Sequence, residues 1–196
     1  MDQKQVRQWF IQWGQACIDE KQYLSDLDNA IGDGDHGFNM AKAFNTYFET
    51  VEKKEINSIQ DEFKTLAMTL LSKVGGTAGP IYASAFLTMS KQLTDTDEID
   101  HDRMVSLFEQ GLESIQQRGK AQVGEKTLVD LWHPAIEALK NDELTNEKVD
   151  ELVEATAPLK ATKGRASYLG ERSIGHIDPG SHSSGLCFKA YLDNRG

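Results

Sequence analysis

Apolar residues recur along this chain at spacings of three and four. Trp9, Trp13 and Cys17 step by four, Phe63, Leu66 and Leu70 follow as i, i+3, i+7, and Val105, Phe108, Leu112 and Ile115 step by three, four and three. Leu128, Leu131, Ala135 and Leu139 continue the habit. Each stripe covers one face of a helix, and the sequence has no short alternating runs of β-branched and aromatic residues of the kind that mark strands. The pattern predicts an all-α chain of about eight antiparallel helices in an up-and-down barrel or bundle, near residues 3–22, 37–52, 58–73, 79–92, 100–118, 126–140, 146–160 and 182–192. Local signals set some of the ends. Ser58-Ile59-Gln60-Asp61 reads as a capping box, Gly75-Gly76 stops the helix it opens, and Gly119 closes the helix that begins near Asp100. The stretch from Lys163 to Gly180 has little helical periodicity and is rich in Gly, Arg, Ser and His. So long an irregular segment is usually functional or disordered, and its two arginines and its Asp-Pro-Gly turn favour function.

Composition narrows the class. The 196 residues, 39% of them hydrophobic, suffice for one good core, and no linker, repeat or low-complexity run divides them, so 1–196 is expected to be a single domain. With 21 Lys+Arg against 31 Asp+Glu the formal charge is −10, which argues against nucleic acid or a membrane surface as partner. A small phosphorylated ligand stays compatible, because a metal, an arginine or a helix N-terminus can reverse the field inside one pocket. Cys17 and Cys187 fit no zinc spacing and read as reduced packing residues. The N-terminus lacks an apolar signal core and no run is long enough to span a bilayer, so the expected location is the cytoplasm.

Three segments carry candidate chemistry. Asp28-Asn29-Ala30-Ile31-Gly32-Asp33-Gly34-Asp35-His36-Gly37 interleaves three carboxylates with glycines that let the backbone fold tightly. Converged carboxylates repel unless a cation neutralises them, and hard oxygen ligands select magnesium or calcium over zinc. The segment is no EF-hand, since the twelfth position from Asp33 is Phe44 rather than Glu, and magnesium fits better. The competing view is an ordinary exposed Asp/Gly turn. Gly75-Gly76-Thr77-Ala78-Gly79-Pro80 either cradles phosphate on free N–H groups at a helix N-terminus or is a plain C-cap and turn. No Gly-Lys-Ser/Thr follows, so it is not a Walker loop. In the 163–180 segment, Arg165 or Arg172 offers the planar fork that suits phosphate, or simply pairs with surface acids. His36 either contacts a nucleotide or orients a neighbouring carboxylate, while His101, His133, His176 and His182 form no ligand spacing.

Taken together, four stretches resemble the L subunit, or L domain, of dihydroxyacetone kinases: Asp28 to Asn39 (DNAIGDGDHGFN), Val74 to Tyr82 (VGGTAGPIY), Arg118 to Asp130 (RGKAQVGEKTLVD) and Lys163 to Ser184 (KGRASYLGERSIGHIDPGSHSS). They are spread over most of the chain in the family's order and spacing. The resemblance implies an eight-helix antiparallel barrel whose open end holds ADP or ATP. It implies two magnesium ions on the phosphates, held by Asp28, Asp33 and Asp35. Nucleotide contacts carry over to His36, Gly37, Phe38, Asn39, Thr77, Ala78, Gly119, Leu128, Arg165, Asp178, Pro179 and Gly180. Arg165 is the residue expected to add positive charge during transfer. Four residues depart from the family pattern: Thr77-Ala78 stands where Ala-Ser is common, Glu125 where Asp is usual and Leu128 where Met is frequent.

Only the L portion is encoded. ATP-dependent members fuse it to a substrate-binding K domain, whereas members of the bacterial phosphotransferase system make K and L as separate chains, so a free L chain implies the second type. There ADP stays bound, is rephosphorylated by a phosphohistidine protein, and passes the phosphoryl group to dihydroxyacetone on the K subunit. No residue here stands out as nucleophile or general base, in keeping with transfer that needs positioning and charge neutralisation above all. Two other readings remain open at this point: the L-like domain of a fatty-acid kinase, against which the short chain argues, and a magnesium-nucleotide regulatory module acting on a transcription factor.

Overall fold

The computed structural model describes residues 1–94 and 98–196. The described residues form nine α-helices and one 3-10 helix, without strands. The helices are α1 (Gln3–Asp19), α2 (Lys21–Ile31), α3 (His36–Lys53), α4 (Ile59–Lys73), α5 (Ala78–Lys91), α6 (His101–Gly119), α7 (Val129–Lys140), α8 (Asn146–Glu154) and α9 (Pro179–Asn194). The 3-10 segment covers Arg165–Ser173, broken by a kink at Gly170 (φ 57, ψ −126), inside the stretch that lacks α-helical periodicity. None of the described helices is long and apolar enough to cross a membrane.

The all-α expectation holds, and four boundaries move for local reasons. The helix expected over 3–22 ends at Asp19, because the stripe Trp9-Trp13-Cys17 meets only Glu20 and Lys21 at its next positions. A separate helix, α2, then carries Asp28 in its last turns, so the acidic segment is half helix and half turn. Residues 126–128 stay outside α7, with Lys126 at φ 59. Helix α8 stops at Glu154, and α9 begins early because Asp178 caps it through the Ser181 N–H and Pro179 fills its first turn. At α4, Ser58 accepts from the Asp61 N–H at 3.1 Å, one half of the expected capping box.

Consecutive helices pack side by side from α3 to α9, except that α8 also leaves α7 and α9 in contact. Helix α1 closes the ring by lying against both α3 and α9, while α2 sits outside against α3 and α9. The interior is aromatic: Trp9, Trp13, Phe63, Phe86, Phe108, Trp132, Phe188 and Tyr191 are buried and in ring contact. Cys17 and Cys187 are free thiols buried in the core, as the sequence implies. Away from the cavity described below, Glu62 is fully buried and accepts from Arg7 Nε at 2.8 Å and Nη2 at 2.5 Å, pinning α4 to α1.

Candidate active site

One cavity of about 230 Å³ opens at a single end of the ring. Helices α2, α4 and α6 run into it at Ile31, at the α4 C-cap Val74 and at Gly119; α3, α5, α7 and α9 start from it at His36, Ala78, Val129 and Pro179. Up-and-down packing therefore delivers four helix N-termini to one pocket. Each helix start carries about half a positive charge from its aligned peptide dipoles. At α5 the N-cap Thr77 makes no side-chain cap bond, and Thr77 and Ala78 line the cavity. Gly79 belongs there for a steric reason: a Cβ would collide with the carbonyl oxygen of Val74.

The acidic segment supplies the opposite charge. Carboxylate oxygens of Asp28, Asp33 and Asp35 lie within 4.8 Å of one another, a spacing that suits shared ligation of a cation. Asp28 also holds the turn: its Oδ2 accepts the backbone N–H groups of Asp35 at 3.0 Å and His36 at 3.1 Å. Burial pushes the Asp28 carboxyl above its ordinary pKa and the charges of Asp33 and Asp35 add to the rise, while the two N–H donors oppose it. An all-oxygen donor set with solvent access on Asp33 and Asp35 has the chemistry of a magnesium site, with room for phosphate oxygens to complete an octahedron. At the mouth, Arg165 Nη1 pairs with Asp33 Oδ2; both side chains are partly exposed.

The twelve residues expected to touch nucleotide divide in the following way. His36, Asn39, Thr77, Ala78, Gly119, Leu128, Arg165, Asp178, Pro179 and Gly180 all line the cavity together with the three aspartates. Gly37 and Phe38 do not. Gly37 is buried where a Cβ would strike the Lys21 carbonyl, which lets α3 start hard against α2, and Phe38 is 51% exposed beside the opening. Arg172, the second candidate arginine, is likewise absent from the lining. His36 lines the cavity with its ring buried: its Nε2 bonds Ser183 Oγ at 2.8 Å, and its backbone N–H donates to Asp28 Oδ2 at 3.1 Å. Burial, reinforced by His182, lowers its pKa to about 4, so the ring is neutral at pH 7.

Several participants are invisible to motif reading. Tyr82 Oη bonds Ser183 Oγ at 2.8 Å, Ser184 Oγ at 2.7 Å and the Gly180 carbonyl at 3.0 Å, and Trp132 Nε1 donates to Ser184 Oγ at 3.0 Å. This buried chain of hydrogen bonds links His36 beside the acids to Gly180 on the opposite wall. The signal in the sequence is faint: serines at 181, 183 and 184 on an otherwise apolar helix need partners when buried. Lys126, 2% exposed, also lines the cavity. The lining combines acids, Arg165 and the Gly75–Ala78 turn with the apolar residues Ile81, Ile115, Ala121, Leu128, Val129 and Pro179.

Residues 30–193 match the DAK2 domain family model. The chain is 49% identical over 191 residues to the ADP-binding subunit DhaL of PEP-dependent dihydroxyacetone kinase 1 from Listeria innocua, covering 97% of this chain and 96% of that protein. It is 48% identical over 186 residues to the ADP-binding subunit DhaL of the PTS-dependent dihydroxyacetone kinase from Lactococcus lactis, covering 95% and 94%. Among solved structures, the dihydroxyacetone kinase of C. freundii in complex with AMP-PNP and Mg2+ superposes with a TM-score of 0.72 at 22% identity, which speaks to the fold. The match covers 94% of this chain and 33% of that one, so the present chain spans about a third of that kinase. Fold, cavity and sequence agree that the chain belongs to the DAK2 domain family, among the ADP-binding subunits of the PEP-dependent dihydroxyacetone kinases.

Proposed function

We propose that this chain holds an adenine nucleotide with about two magnesium ions in the cavity and hands its terminal phosphoryl group to dihydroxyacetone carried by a separate K subunit, the ADP being recharged in place by a phosphohistidine protein of the phosphotransferase system. The observation that carries this reading is the meeting of four helix N-termini with three converged carboxylates in one cavity. That arrangement suits a ligand that is itself anionic and carries its own cations. When bound, magnesium supplies charge neutralisation on the phosphates, and Asp28, Asp33 and Asp35 are the residues that would hold it.

The chain's own residues do the positioning. Asp28 fixes the acidic turn by accepting two N–H groups, so Asp33 and Asp35 are presented in a set geometry. The start of α5 and Arg165, which pairs with Asp33, both line the cavity and suit the phosphates. The apolar residues Ile81, Ile115, Ala121, Leu128 and Val129 suit the faces of a purine ring. Leu128, Thr77 and Ala78, three of the residues that depart from the family pattern, line the cavity. No cavity residue here is placed as a nucleophile, which fits an acceptor held by another subunit.

The test is reconstitution. Protein purified without chelator is expected to release adenine nucleotide on heat denaturation. Dihydroxyacetone phosphate is expected only when the chain, the K subunit and the phosphorylated donor are all present. Product from this chain with free ATP alone, or a preparation with neither bound nucleotide nor affinity for it, overturns the proposal.

A further inference from the structure

Lys126 is held in a way that ordinary lysines are not. It is buried, and its ammonium donates to three main-chain carbonyls just beyond the end of α8: Thr156 at 2.7 Å, Ala157 at 3.1 Å and Leu159 at 3.2 Å. All three N–H donors of the group are thereby used. Its backbone also sits at φ 59, a left-handed conformation that a lysine rarely adopts. Burying a charge and straining a backbone are separate penalties, and both fall on one residue lining the cavity.

The same residue lies where three stretches of chain meet. Thr156, whose carbonyl Lys126 grips, accepts the Asp178 N–H on its Oγ1 at 3.0 Å. Asp178 in turn accepts the Ser181 N–H at 2.6 Å, and Ser181 Oγ donates back to the carbonyl of Thr127, the residue after Lys126, at 3.0 Å. The loop closes on itself, and it contains the residues that form the apolar wall: Leu128 on one side, Pro179 and Gly180 on the other. The place where a Cβ on Gly180 would stand is 3.6 Å from Leu128 Cβ, so the two sides of that wall are in contact. The arm bearing Arg165 has its own anchor, since Glu125 accepts from Thr162 N at its carbonyl and from Thr162 Oγ1 at its carboxylate, both at 3.2 Å.

We propose that Lys126 is a positioning residue that sets the nucleobase wall of the cavity, binding no part of the nucleotide itself but fixing Leu128 and Asp178–Gly180 at the spacing a purine requires. Burial draws its ammonium pKa below the ordinary lysine value, with the charges of Asp178 and Asp130 opposing the fall. The role rests on the nucleotide reading of the cavity, and it predicts a split between two ligands. A nucleobase wall matters for ADP and not for pyrophosphate, whereas a residue that merely stabilised the fold would lower the melting temperature without separating the two.

The experiment compares full-length wild type and Lys126→Met, stripped of nucleotide, by calorimetric titration with magnesium-ADP and with magnesium-pyrophosphate well below both melting temperatures. ADP binding is expected to weaken more than fivefold while pyrophosphate binding moves less than twofold. A change in ADP affinity of fivefold or less, or a twofold or larger shift for pyrophosphate, overturns the positioning role. Should Lys126→Met fail to fold, Thr156→Val decides, because it cuts the link to Asp178 and leaves the lysine in place. There ADP is expected to weaken more than threefold with pyrophosphate again within twofold, and any other result overturns the proposal. If wild type binds neither ligand, the nucleotide reading itself falls, and the role of Lys126 with it.

Discussion

Replacing Asp35 by asparagine distinguishes a cation site from an ordinary acidic turn by the sign of its effect on stability. The carboxylate oxygens of Asp28, Asp33 and Asp35 lie within 4.8 Å of one another. At that spacing two full charges repel by about 1 kcal/mol at the dielectric of water and by about 3.5 kcal/mol at an effective dielectric of 20. Asp33 and Asp35 face solvent and Arg165 already pairs with Asp33, so the lower figure applies. Asp35 takes part in both of the pairs that its loss removes, which relieves about 2 kcal/mol. Against this, Asp35 is the N-cap of α3, where a negative charge is favoured by about 0.3–1 kcal/mol, although it makes no side-chain cap bond that could be lost. The net, about 1–1.5 kcal/mol, raises the melting temperature of metal-free protein by roughly 2–6 °C for a chain of this size. With magnesium-ADP the order reverses. Ligand at about a thousand times its Kd adds about 4 kcal/mol to wild type, and the variant, short of one ligand oxygen, gains much less. Calorimetric melts of nucleotide-stripped protein in EDTA, then in saturating magnesium-ADP, read both arms. If Asp35→Asn melts at or below wild type in EDTA, or gains the same increment from magnesium-ADP, the carboxylates are turn residues and the argument fails.

Other expectations follow from single contacts. Tyr82→Phe removes three buried hydrogen bonds and is expected to lose about 2–3 kcal/mol in urea unfolding; a loss under about 1 kcal/mol would mean that the Tyr82–Ser183–Ser184 chain contributes little. Burial raises the Asp178 carboxyl from 3.8 to about 6, with Asp130 adding to the rise and Lys126 and the Ser181 donors opposing it. Because the folded-state pKa is the higher one, the stability that protonated Asp178 confers is complete below about pH 4 and lost as pH rises through about 6. Relative to Asp178→Asn, which keeps a good cap, wild type should therefore lose about 2–3 kcal/mol between pH 4 and 7, and a pH-independent difference would contradict the shift. Arg165→Ala is expected to slow phosphoryl transfer in the reconstituted system by about 10²-fold while moving ADP affinity by less than about threefold. Equal losses in both would make Arg165 a simple binding residue. Its exposed pairing with Asp33 predicts a stability change below about 1 kcal/mol.

The elements of this protein, and the grouping of its acids, are local facts and stand in the sequence. A helix is specified by side chains three and four positions apart and by the cap beside it, so Trp9-Trp13-Cys17, Phe63-Leu66-Leu70 and Ser58 could be read directly. Three aspartates within eight residues have to be near one another in any fold, and the glycines between them make convergence easy. What had to wait for tertiary structure is everything that depends on which faces meet. Arg165 and Asp33 are 132 residues apart, and only the ring of helices brings them to one mouth. Tyr82 gives no hint of polar duty on an apolar helix until α9 turns Ser183 and Ser184 toward it. Lys126 and Glu62 read as solvent-facing residues, because charged side chains are seldom fully buried. Each is buried here only because partners remote in sequence, the carbonyls past α8 for one and Arg7 for the other, replace the water it leaves. Side-chain spacing encodes a helix, but hydrogen-bond partners drawn from other helices have no spacing to encode, and the cavity is built from them.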